Sequence, residues 1–249
     1  MSAADQLIQD ITREIAALPK GRYGEVILAD DRFADLPAPE DFLFPEPDVR
    51  DGPSEGAPFG NVAANPCLLG CYWPMHNSPG QIDLFEGNLR RFYWSLVGAL
   101  RHDFPSLFTR DLEGALHLVV KKTDYHERFH FHSDVLRQLS GSPFDPLHEE
   151  ALAVAWSRMT LLGEHGNSKI WQVNRVFHDR LLGAAFAFRS PGYRDWPNYA
   201  DEPRFKLAWL NYLSPRSSRR LEANGVGNLQ DLMFGLLGQV AGGCVDHLV

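Results

Sequence analysis

The chain has 249 residues, 44% of them hydrophobic, enough to fill the core of one large domain or two small ones. Its formal net charge of −8 argues against a nucleic-acid footprint and against an anionic membrane surface. No apolar run approaches a transmembrane length, the start MSAADQLIQD has no basic-then-apolar export pattern, and the three cysteines are too few for a zinc ribbon, so a reduced cytoplasm is the expected location.

Residues 3–18 have the period of an amphipathic helix, with Leu7, Ile8, Ile11, Ile15 and Leu18 on one side and Pro19-Lys20-Gly21 as its stop. Gly24–Ala29 reads as a short strand. From about 30 to 66 the chain turns acidic and carries seven prolines, a composition that predicts a long irregular excursion. Leu68–Trp73 and Gln81–Phe85 read as two strands joined by Pro74–Gly80. Leu89–Leu100 is the next helix, and its Phe92, Tyr93 and Trp94 are expected in the core. Two helices follow, over 115–139 and from about 148 to 158, the second entered through Pro143, Asp145 and Pro146. Lys169–Phe188 reads as a long helix, 190–204 as a loop, and Phe205–Leu213 and Leu229–Val240 as closing helices. The basic run Arg216, Arg219 and Arg220 reads as a solvated loop.

The stretch 115–139 holds His126-Glu127-Arg128-Phe129-His130, an H-E-x-x-H pattern. On a helix the two histidines stand one turn apart, about 40° round the axis, so both imidazoles reach one ion. Glu127 is too far round to join them as a ligand and is placed to take a proton from a water at the metal. Leu116, Val119, Val120, Thr123, Glu127, His130 and Asp134 recur at helical steps, with Thr109 as N-cap and Ser140-Gly141-Ser142-Pro143 as the stop. Two other readings stand beside this one. In the first, ALHLVVKKT is a strand and the helix begins at Asp124, which leaves the pattern intact. In the second, HFHSD is an alternating strand, which destroys it.

A catalytic zinc needs a third protein ligand and an open position. Nineteen residues lie between His130 and Glu150, room for a turn and an antiparallel return. With H-E-x-x-H upstream, Glu150-Ala151-Leu152-Ala153 resembles the glutamate helix of the gluzincins, zinc metallopeptidases of the H-E-x-x-H…E type. Leu69–Pro74 and Gln81–Phe85 resemble the hairpin that precedes the metal helix in zincins, and Ser190–Trp196 resembles a segment of small bacterial H-E-x-x-H proteins. The resemblance spans roughly residues 67–199. It implies a zincin-like α+β fold, a zinc cofactor held by His126, His130 and Glu150 (with Glu149 the alternate), and Glu127 as general base in hydrolysis of a peptide or protein. It also implies a transition-state donor from a later segment, for which His178 is taken first, with Tyr193 and Arg194 as competitors. The sequence departs from the pattern at Val154, where many gluzincins carry an Asp or Asn that hydrogen-bonds a metal-bound histidine. Asp134 is the substitute expected for that contact.

His132 lies about 200° from His130 and reads as a packed or exposed histidine. His165 reads as a helix-end cation. Glu127-x-x-His130 is also a di-iron half-site, but no second E-x-x-H exists to complete it. The expected architecture is one α+β domain over residues 1–249, with a small sheet in the N-terminal half and a helical C-terminal half. The acidic, proline-rich excursion reads as a surface loop, or alternatively as a segment over the cleft whose carboxylates or Cys67 cap the metal. The competing functional reading is a non-enzymatic interaction protein that retains a zincin-like scaffold.

Overall fold

Ser2 caps the first helix, its hydroxyl accepting from the Asp5 N–H, and α1 (Ala3–Ala17) buries Leu7, Ile8, Ile11 and Ile15 on one face. This is the first element of the computed structural model, which describes residues 2–28, 68–74, 80–140, 143–165, 174–188, 190–213 and 245–249; for 138–140, 165, 245 and 246 it describes the backbone alone. The expected proline-rich excursion, Cys67, the basic run, the 229–240 helix, most of the Pro74–Gly80 turn and the start of the Lys169–Phe188 helix lie outside the described residues.

After α1 come β1 (Glu25–Ile27), β2 (Gly70–Trp73), β3 (Gln81–Leu84), α2 (Glu86–Leu100) and β4 (Ser106–Phe108). Then follow α3 (Thr109–Ser140), α4 (Pro146–His165), α5 (Arg175–Ala185), a 3-10 helix (Tyr193–Tyr199), α6 (Glu202–Leu213) and β5 (Val245–Leu248). β2 and β3 form the expected antiparallel hairpin, with Cys71 opposite Asp83 and Tyr72 opposite Ile82. β5 adds to β3 in parallel, which among the described residues leaves β2 at one edge of a three-stranded sheet. β1 pairs with β4 in a separate antiparallel ribbon. The architecture is α+β and mostly helical. Among the described residues no helix is long and apolar enough to cross a membrane.

α3 is the axis of the molecule. It is helical throughout its 32 residues, so neither strand reading of this stretch holds. The Asp111 carboxylate accepts from the Phe108 N–H at its start. Its first half is apolar: Leu112, Ala115, Leu116, Leu118, Val119 and Val120 join α1, α2, α5 and the sheets in one buried cluster. From Lys122 onward it buries Lys122, Thr123, Asp124, Glu127, His132, Ser133 and Asp134. Phe129 there joins a second cluster with Leu152, Ala153 and Ala155 of α4 and Phe205, Trp209 and Tyr212 of α6. α4 returns antiparallel to α3: His130 meets Glu149, and further along Tyr125 meets Glu164.

Several elements differ from expectation for local reasons. β4 has three residues and β5 four, too short for a period to register, and β5 is set by a partner far away in sequence. α2 starts at Glu86, after a Phe85 that offers no side-chain cap. The expected 190–204 loop contains the 3-10 helix with Pro197 inside it, and α6 begins at Glu202 after Asp201 accepts from the Arg204 N–H.

Candidate metal centre

Asp145 caps α4 through its carboxylate and the His148 N–H, 3.2 Å, and Pro146 occupies the first helical position, where its missing N–H costs nothing. This start aims the first turns of α4 at α3. Nε2 of His126 and Nε2 of His130 lie 3.1 Å apart. Oε2 of Glu150 lies 3.0 Å from the first and 3.4 Å from the second. A tetrahedral ion with bonds of about 2.1 Å sets its ligands about 3.4 Å apart, so the three atoms fit the donor set of a zinc site. Glu150 Oε2 is buried and makes no well-directed hydrogen bond, although both imidazole nitrogens crowd it. Three acceptor-type atoms meeting in this way fit a shared cation better than they fit one another. Of the three side chains, 13%, 13% and 17% remains exposed, so the centre is reachable from solvent.

The electrostatics point the same way. Burial alone would raise the Glu150 carboxyl, yet His130 and His126 hold it far below the carboxylate range. Burial works against a charged His130, but Glu150 and Glu149 raise it well above its ordinary value. The Glu150 carboxylate is thus held charged beside the two imidazoles. Glu127 is 7% exposed, and burial pushes its carboxyl up against the pull of His126 and His130, while the Tyr72 backbone N–H donates to it. β2 reaches this close because residue 70 is glycine: a Cβ there would stand 2.9 Å from Glu127 Cγ and from Thr123 Cγ2.

Tyr193 is the aromatic neighbour of the centre. Its ring stacks on His126 with centroids 5.8 Å apart, and its hydroxyl donates to Glu150. Burial, then Glu150 and Glu127, raises its pKa well above the usual phenol value, so it stays a donor. Gly192 makes the approach possible at φ +80°, where a Cβ would meet the Leu147 carbonyl at 2.9 Å. Cys71 also belongs to this neighbourhood. Burial first, then Glu127, Asp83 and Glu150, pushes its thiol up, which keeps it neutral.

The structure thus brings together His126, Glu127, His130 and Glu150, and adds Tyr193. It does not bring His178. That residue lies on α5, whose Asn174 N–H donates to Asp111 and whose Phe177 packs on Phe104. Asp111 and His126 are fifteen residues, roughly 22 Å, apart along α3. Arg194 is exposed beside Asp195. Asp134 does not substitute for the missing polar group at 154. It accepts from the Tyr72 hydroxyl at 2.9 Å and pairs with Arg137, and Val154 is core. The carboxylate on a histidine is instead Glu149, with Oε1 2.8 Å from His130 Nδ1 and Oε2 bonded to the Tyr212 hydroxyl. His132 is buried on the far side against Phe131, as its position round the helix implies, and burial lowers its pKa to about 4. Tyr212 carried no legible signal; Gly192-Tyr193 carried one, a glycine before an aromatic in a turn. Comparison with known protein families, with curated proteins and with solved structures finds no match.

Proposed function

We propose that the protein is a zinc-dependent peptide hydrolase with a zincin-like arrangement, its metal held by His126, His130 and Glu150. The observation that supports this most is the convergence of those three donor atoms within 3.4 Å of one another, with the buried Glu127 carboxylate beside them. Bound there, zinc would supply Lewis acidity and make a water acidic near neutral pH. The remaining work falls to the protein. Glu127, held by the Tyr72 N–H and with its proton affinity raised by burial, takes a proton from the attacking water and delivers it to the leaving amine. The Tyr193 hydroxyl is the donor for the charge developing on the substrate oxygen. The substrate is a peptide or protein, and the odd number of cysteines favours a reducing compartment, the cytoplasm.

Glu127→Gln separates this reading from an interaction scaffold. The amide keeps the volume but cannot take a proton. The variant is expected to bind zinc like the wild type and to cleave a peptide library about 10²–10⁴-fold more slowly. His126→Ala is expected to lose zinc and cleavage together. Full activity in Glu127→Gln removes the proposed base, and zinc binding with no cleavage by the wild type favours the scaffold.

A further inference from the structure

Two consecutive glutamates take opposite nitrogens of one imidazole. Glu150 faces Nε2 of His130 at 3.4 Å, and Glu149 faces Nδ1 at 2.8 Å. A carboxylate only accepts, so the 2.8 Å contact requires the proton on Nδ1. In a ring with one proton, Nε2 is then the bare nitrogen, turned toward His126 and Glu150. Glu149 is 3% exposed, and its second oxygen accepts from Tyr212, which is 7% exposed at the end of α6. α6 grips α3 on both sides of His130. Phe205 and Trp209 pack on Phe129 at 5.9 and 5.8 Å, and the Trp209 indole N–H donates to Ser133 at 3.3 Å. The Tyr212 ring is itself stacked on His148, 5.5 Å between centroids.

We propose that Glu149 and Tyr212 are positioning residues, a relay by which α6 holds the His130 imidazole with Nδ1 protonated and Nε2 presented to the metal. The proposal rests on the zinc reading for its consequence but not for its geometry. A carboxylate behind a ligating histidine fixes the ring and raises its basicity, and removing such a partner typically costs about 10–100-fold in metal affinity. Tyr212 keeps that carboxylate in place: without its hydroxyl, one oxygen of a buried charged group loses its donor. α6 is thereby coupled to a centre built on α3 and α4.

The test uses the full chain, nitrogen-15 labelled, with zinc alone as the probe. In metal-free wild type the His130 Nδ1 proton is expected downfield and protected from exchange, the signature of a hydrogen bond to carboxylate. Glu149→Leu should abolish that protection and weaken zinc binding about 10–100-fold. Glu149→Gln keeps an acceptor and should restore most of both, which separates positioning from a folding defect. Tyr212→Phe should fall between. A wild-type Nδ1 proton without protection overturns the proposal, and so does an unchanged proton in Glu149→Leu. For zinc, equal affinity in Glu149→Leu and wild type overturns it, as does an equal loss in Glu149→Leu and Glu149→Gln. A wild type that takes up no zinc ends the hydrolase reading, and the proton signal alone then decides for or against the relay.

Discussion

Lys122 stands one turn before His126 on α3, 4% exposed, with its Nζ 5.1, 5.5 and 4.7 Å from the ring centres of Phe92, Phe186 and Phe188. Burial lowers its pKa from 10.5 to about 7. Below pH 7 both folded and unfolded chains carry the proton, so the fold bears the full cost of burying the charge. Between pH 7 and about 10.5 the unfolded chain holds a proton that the folded chain has released, and stability contributed by this site rises with pH. Lys122→Met is therefore expected to stabilise the protein most at acid pH, by at most about 5 kcal/mol less what the three ring contacts return, and to gain almost nothing near pH 10.5. Urea midpoints at pH 6 and pH 10 measure this. An equal gain at both would mean that packing, not the buried charge, is responsible.

At the scale of elements, the contact between β2 and α3 governs Glu127. Gly70 lets the edge strand lie on the helix, and a Cβ would meet Glu127 Cγ and Thr123 Cγ2 at 2.9 Å, with Glu127 Oε1 at 3.0 Å. Gly70→Val is expected to push β2 off α3, costing about 1–3 kcal/mol in overpacking and moving the carboxylate from the Tyr72 N–H. Denaturant unfolding reads the first effect. A stability within about 0.5 kcal/mol of wild type would show that the strand yields freely. This contact marks where sequence reading stopped. His126, Glu127 and His130 were legible because three residues on one helix are related by a fixed period. Glu150 is legible only through the resemblance of its helix, and it lies with the histidines. In sequence Glu149 reads only as an alternate ligand, because nothing in an E-E pair tells which carboxylate takes which nitrogen. Tyr212, 63 residues beyond Glu149, and Gly70 act through docking between elements, which leaves no periodic trace. The sequence puts His178 first with Tyr193 among its competitors, but α5 runs beside the first half of α3, whereas the turn at Gly192 brings Tyr193 to the centre.

On the scale of the whole molecule, α3 joins two apolar clusters, and its polar half between them carries the centre. The seven buried polar residues between Lys122 and Asp134 are costly to keep unless they are paired or used. An ion shared by His126, His130 and Glu150 would tie α3 to α4 at this weak point. Zinc at 100 times its dissociation constant would then stabilise the fold by about 2.7 kcal/mol, and the melting temperature should rise with zinc in wild type and not in Glu150→Ala.

Zinc content tests the central claim most directly. Wild type and His126→Ala are freed of metal with chelator, exposed to zinc, dialysed and subjected to elemental analysis. About one zinc per wild-type chain and almost none in His126→Ala is the predicted result. A wild type that retains no zinc, or a variant that retains as much, contradicts it.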